Sequence, residues 1–125
     1  MLTLATLNAY PGLHIRDICP VGFDNDGDNH CAHFVSHVLG LGFGVTCRTM
    51  ASGFGPEASI RVQEIFARCL SVGAWSNVPY PLFTGLAFIT NANNVNLTTK
   101  VMTNVPRKHV GIFLRRQHGH LALFE

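Results

Sequence analysis

The stretch Asn29-His30-Cys31-Ala32-His33-Phe34-Val35-Ser36-His37-Val38-Leu39-Gly40-Leu41 decides how the rest of the chain is arranged. Cys31, Phe34, Val35, Val38 and Leu39 fall at the i, i+3, i+4, i+7, i+8 spacing of one helical stripe, which predicts a helix with one buried face. Asp28 and Asn29 are good N-cap residues and Gly40 and Gly42 supply left-handed stops, so the helix is expected to begin within a residue or two of Cys31. A cysteine there sits among the unpaired N–H groups at the positive end of the helix dipole. That setting favours a thiolate, the form of cysteine that attacks a carbonyl carbon. The position equally suits an inert buried thiol, which is what most free cysteines are.

The 125 residues are enough for one domain with a single core and too few for two. Hydrophobic residues make up 47% and charged residues 13%, a balance that excludes a disordered chain. With a formal charge of +2 and no basic cluster longer than Arg107-Lys108 or Arg115-Arg116, the footprint of a nucleic-acid binder is missing. No apolar run reaches the length of a membrane span, and the first residues lack a basic region and a cleavage site. A protein made in the cytoplasm, with no membrane partner, is therefore expected. Cys19, Cys31, Cys47 and Cys69 are expected to be free thiols, because nothing in the sequence marks it for an oxidising compartment.

Upstream of the helix, residues 1–22 read as short extended or turn pieces punctuated by Pro11-Gly12 and Pro20, with Tyr10 either packing or pointing at the site. Asp24-Asn25-Asp26-Gly27-Asp28 starts like a calcium loop. Asn29 then stands where such a loop needs glycine, and Val35 where it needs a bidentate glutamate, so a polar turn is expected instead. Residues 42–55 read as a flexible connection. Gly55-Pro56-Glu57 reads as the start of a second helix whose stripe is Ala58, Val62, Ile65, Phe66 and Cys69, ending at Gly73. Pro79-Tyr80-Pro81 is a stiff bridge. Three apolar runs follow and read as strands: Leu86-Ala87-Phe88-Ile89, Val110-Gly111-Ile112-Phe113-Leu114 and Leu121-Ala122-Leu123-Phe124. A polar insertion, residues 91–107, separates the first two, with weak strand character over 97–105. Helices first and an antiparallel sheet afterwards describe an α+β domain.

A nucleophilic thiol needs a base, and the base needs a group to hold its ring. His109 opens a strand after a polar loop, where its side chain can face the helix of Cys31. A surface histidine at a strand start is the alternative. His33 and His37, four apart on one helical face, could share a metal, but no third ligand stands at a recognisable spacing, so a solvated or partly packed pair and no metal or cofactor are expected.

Asn-His-Cys-Ala-His-Phe-Val-Ser-His-Val-Leu-Gly, Thr84-Gly85-Leu86-Ala87-Phe88-Ile89 and Lys108-His109-Val110-Gly111-Ile112-Phe113-Leu114 together resemble the NlpC/P60 and CHAP-type cysteine peptidases. The resemblance spans roughly residues 24 to 114, and its His-Val-Gly-Ile-Phe element is the most specific part. It implies a papain-like domain over 1–125, with helices packed on a small antiparallel sheet, Cys31 as nucleophile and His109 as base. His120, with His118 behind it, is the available residue for orienting the base. The implied activity is hydrolysis of amide bonds in peptidoglycan stem peptides. His30 replaces the Asp or Gln often found beside the nucleophile, Ala32-His33 the common Ser-Gly, and Leu86 the acidic residue of Gly-Asp-Leu.

Two other readings remain open: a non-catalytic cell-wall or protein-binding module of the same fold, and a Cys–His acyltransferase. A wall hydrolase without a leader is expected to reach its muropeptide substrate by lysis, by a secretion or phage-like machine with a delivery or immunity partner, or by acting on imported fragments. The tail carries one more expectation. Codons compatible with residues 116–125 can be chosen so that a one-base shift reads Gly-Ser-Thr-Gly-Thr-Trp-His-Tyr-Ser-Asn, which resembles the family's strand that carries the orienting histidine. A truncated or frame-shifted relative with weakened activity is expected on that basis.

Overall fold

The computed structural model describes residues 3–78, 84–115 and 121–124. Five helices precede the strands: α1 (Leu4–Leu7), α2 (Ile15–Ile18), α3 (Cys31–Leu39), α4 (Cys47–Met50) and α5 (Val62–Arg68). The strands are β1 (Thr84–Thr90), β2 (Val95–Asn96), β3 (Val101–Met102), β4 (Lys108–Arg115) and β5 (Leu121–Phe124). This is the α+β order that the pattern predicts. Among the described residues no helix is long and apolar enough to cross a membrane.

The main sheet is antiparallel with order β1-β4-β5, so the strand carrying His109 is central. Ile89 lies opposite His109 and Phe88 opposite Val110, while β5 pairs with β4 only over the four residues from Ile112 to Arg115. The first half of β4 therefore extends past β5, and that part packs against α3. β2 and β3 form a separate two-stranded hairpin inside the polar insertion, with Val95 opposite Met102.

α3 is buried on more than one side. Toward the sheet, Val35 packs with Ile65 and Phe66 of α5 and with Val110 and Ile112 of β4, all 3% exposed or less. Each such side chain contributes roughly 1.5–3 kcal/mol relative to leaving it in water. Toward the N-terminal segments lies a second cluster built from Ile15, Cys19, Val21, Cys47 and Ala58. The helix ends at Gly40, whose φ of 71° is the left-handed stop the sequence implies.

Several expectations are corrected. Residues 1–22, expected as short extended or turn pieces, contain the one-turn helices α1 and α2. α2 is closed by a capping box in which His14 accepts from the Arg16 N–H while its own N–H donates to Asp17. The supposedly flexible 42–55 region holds α4, capped at Thr46. The second long helix begins at Val62 instead of near Pro56, because residues 58–60 are extended. The Ala58 carbonyl accepts from the Cys47 N–H, the Ser59 N–H donates to Leu41 and the Ile60 N–H donates to Val45. That helix stops at Arg68, so Cys69 is its C-cap and only partly buried. The Pro79-Tyr80-Pro81 bridge lies outside the described residues.

Candidate functional site

Cys31 is the first residue of α3, with His30 as N-cap. His30 makes no side-chain cap; the Asn29 Oδ1 accepts from the Cys31 N–H instead, at 3.1 Å. The cap chemistry expected of Asp28 or Asn29 thus falls to Asn29, one position before the N-cap. Cys31 is 7% exposed and forms part of the wall of an open cleft of about 680 Å³. His109, Asn29 and His30 line the same cleft, and Leu7, Tyr10, Leu13 and Phe34 supply apolar wall. The volume lies in the range that takes a small organic molecule or a short peptide. Tyr10 both packs and faces the site: its ring stands edge-on to Phe34, 5.6 Å between centroids, while it borders the cleft.

Burial pushes the Cys31 thiol above the ordinary value, and N–H groups of Val110, Ala32 and Cys31 together with the Asn29 side chain oppose that rise. The resting nucleophile candidate is therefore a thiol surrounded by donors that favour negative charge once it forms. The Val110 donor is the neighbour of His109, so the same stretch of β4 brings a donor to the sulfur and an imidazole to the cleft. His118 and His120 lie outside the described residues.

Of the solvated or partly packed pair expected at His33 and His37, the second alternative fits His37, and His33 is packed completely. His33 is fully buried and His37 half-buried, their rings 4.8 Å apart. Burial, and then the neighbouring His37 and His30, hold the His33 imidazolium pKa down to about 4, and burial lowers that of His37. Cys19 and Cys47 join them, so the further ligands that sequence spacing does not reveal are supplied by the fold. The visible signal was the four-residue spacing of the histidines on α3. Cys19 and Cys47 stand fourteen residues before His33 and ten after His37, with no local pattern to link them.

Comparison with family models, with curated proteins and with solved structures returns no match. What the fold and site define is an α+β domain in which a helix-start cysteine and a strand-start histidine share one cleft.

Proposed function

We propose that the protein is a cysteine-dependent hydrolase of the papain-like kind, related to the NlpC/P60 and CHAP-type enzymes, that cleaves amide bonds in peptidoglycan stem peptides. The observation that carries this reading is that Cys31 and His109, singled out by the sequence motifs, border the same cleft. His109 takes the Cys31 proton as the sulfur attacks the amide carbonyl. The same histidine then returns the proton to the leaving amine, and water releases the acyl group from the resulting thioester. Because burial raises the thiol, proton transfer accompanies attack and no standing thiolate is required.

The Ala32 N–H and the Asn29 amide, both of which oppose the rise of the Cys31 thiol, are the donors this reading assigns to the tetrahedral oxyanion. The apolar stretch of the cleft from Leu7 to Leu13 suits the aliphatic parts of a stem peptide. Cys31→Ala and His109→Ala should each abolish release of new amino groups from purified peptidoglycan while leaving the fold intact by circular dichroism. Unchanged release from either variant removes this mechanism. Rapid labelling of Cys31 by a thiol-reactive probe without muropeptide cleavage would instead favour acyl transfer to another acceptor, and slow, equal labelling of all the thiols a binding module.

A further inference from the structure

Away from the cleft, α3 presents a second set of chemically capable side chains. His33 and His37 meet Cys19, the C-cap of α2, and Cys47, the first residue of α4. One donor atom from each lies within 4.8 Å of the other three. The two Nε2 atoms are 3.1 Å apart, and the Cys47 Sγ is 3.9 Å from the His37 Nε2. A tetrahedral ion with metal–nitrogen distances of about 2.0–2.1 Å and metal–sulfur distances of about 2.3 Å has ligand–ligand edges of roughly 3.3–3.8 Å. The four donors thus stand within about 1 Å of that geometry. We propose that Cys19, His33, His37 and Cys47 form a structural zinc site.

The hydrogen bonds around the cluster aim a lone pair into it. The Asn25 carbonyl can only accept, so the His30 Nε2 carries the proton in their 2.6 Å contact. With the proton on Nε2, the His30 Nδ1 is the acceptor, and the His33 Nδ1–H donates to it at 3.0 Å. His33 is left with an unprotonated Nε2, the atom that faces His37. A backbone carbonyl acting through one histidine on another is the outer-shell arrangement that fixes tautomer and ring orientation in metal-binding histidines. Phe23 packs edge-on to the His30 ring at 5.1 Å and tilted against the His33 ring at 5.5 Å between centroids, closing that side.

The donor set selects the ion. Two thiolates and two neutral imidazoles around a divalent zinc sum to zero charge, which a site can bury without an uncompensated ion. Cys19, His33 and Cys47 are 3%, 0% and 0% exposed, so this neutrality matters. Binding releases the two thiol protons to solvent. Four protein ligands leave no open coordination position, which assigns the ion a structural role apart from the chemistry at Cys31. The ion joins α2 and α4 to α3, closing an N-terminal half whose helices are otherwise only one turn long.

The test uses the full chain, purified under reducing conditions without chelator, and reads bound zinc by elemental analysis. One zinc per chain is expected. Stripping with chelator and adding cobalt(II) should give a thiolate-to-cobalt charge-transfer band with intense tetrahedral ligand-field bands. In the loaded protein Cys19 and Cys47 should resist a thiol reagent that reaches all four cysteines after chelation and denaturation. His30→Ala should weaken metal binding about 10–100-fold, His37→Ala more, and Cys69→Ser should leave the stoichiometry at one. Zinc near zero after re-metallation, a cobalt spectrum without thiolate bands, or a Cys19–Cys47 disulfide in protein never exposed to oxidant would each overturn the proposal. If Cys47→Ser does not fold, the cobalt spectrum and thiol protection of the native chain decide alone.

Discussion

The backbone of Val110 on β4 opposes the rise that burial imposes on the Cys31 thiol at the start of α3. This relationship spans the interface between helix and sheet, and it lies one residue from His109. A shift of β4 against α3 would therefore disturb the sulfur's donors and the placement of the imidazole together. Val110 is fully buried, so its position is set by core packing. Val110→Ala should destabilise the fold by about 1–3 kcal/mol and lower turnover at temperatures where the variant remains folded, measured by urea unfolding alongside the hydrolysis assay.

Asn29 carries two separable duties. Its Oδ1 accepts the Cys31 N–H, and its side chain also works against the burial that pushes up the Cys31 thiol. Asn29→Ala should lose both, costing about 1 kcal/mol of stability and roughly 10²–10³ in kcat. Asn29→Asp keeps the acceptor and removes the amide donor, so it should recover the stability without recovering the rate. Equal turnover in the wild type and in Asn29→Asp would remove Asn29 from the oxyanion site.

Gly53 locks the segment after α4 onto the segment after α2. Its N–H donates to the Val21 carbonyl at 3.0 Å, and a Cβ built on it would lie 2.1 Å from that same oxygen. Gly53→Ala must push the two backbones apart, with an expected loss of about 1–3 kcal/mol in chemical unfolding. Cys47 opens α4 and Cys19 caps α2, the helices from which these two segments run, so the same variant should bind zinc more weakly than the wild type in a chelator competition.

Asp26 supplies a pH dependence at the turn that also anchors His30. Its Oδ1 sits 2.5 Å from the His14 Nε2, and this hydrogen bond, followed by the charge of His14, holds its carboxyl below the usual value of 3.8. A carboxyl with a lower value in the folded state stabilises the fold above pH 3.8, and that contribution disappears as pH falls through the folded value. Asp26→Asn should therefore lower the urea midpoint slightly at neutral pH, and the gap should close in acid. A gap that persists or widens in acid would contradict the pairing.

The sequence carries α3 clearly because its stripe, its glycine stop and its polar lead-in agree with one another. The same holds for β1 and β4, whose apolar runs flank the polar insertion of residues 91–107. Pro56 misleads for a physical reason: it is compatible with a helix start, yet residues 58–60 bond to Leu41, Val45 and Cys47 and stay extended. Tertiary pairing there overrides local preference. His33 is buried more completely than a solvated or partly packed histidine, because a histidine on a helix gives no local sign of a second buried face, which exists only once Cys19 and Cys47 fold over it. Asn29 is legible as a capping residue, whereas its effect on the Cys31 thiol depends on the turn that precedes α3.

The most direct measurement is digestion of purified peptidoglycan by the wild-type chain, by Cys31→Ala and by His109→Ala, with the products resolved by mass spectrometry. Hydrolysis through Cys31 and His109 predicts muropeptides shortened at one amide bond, each cut adding one water across a new amine and a new carboxylate, from the wild type alone. Products of unchanged mass from the wild type, or the same cleavage from Cys31→Ala, would contradict it.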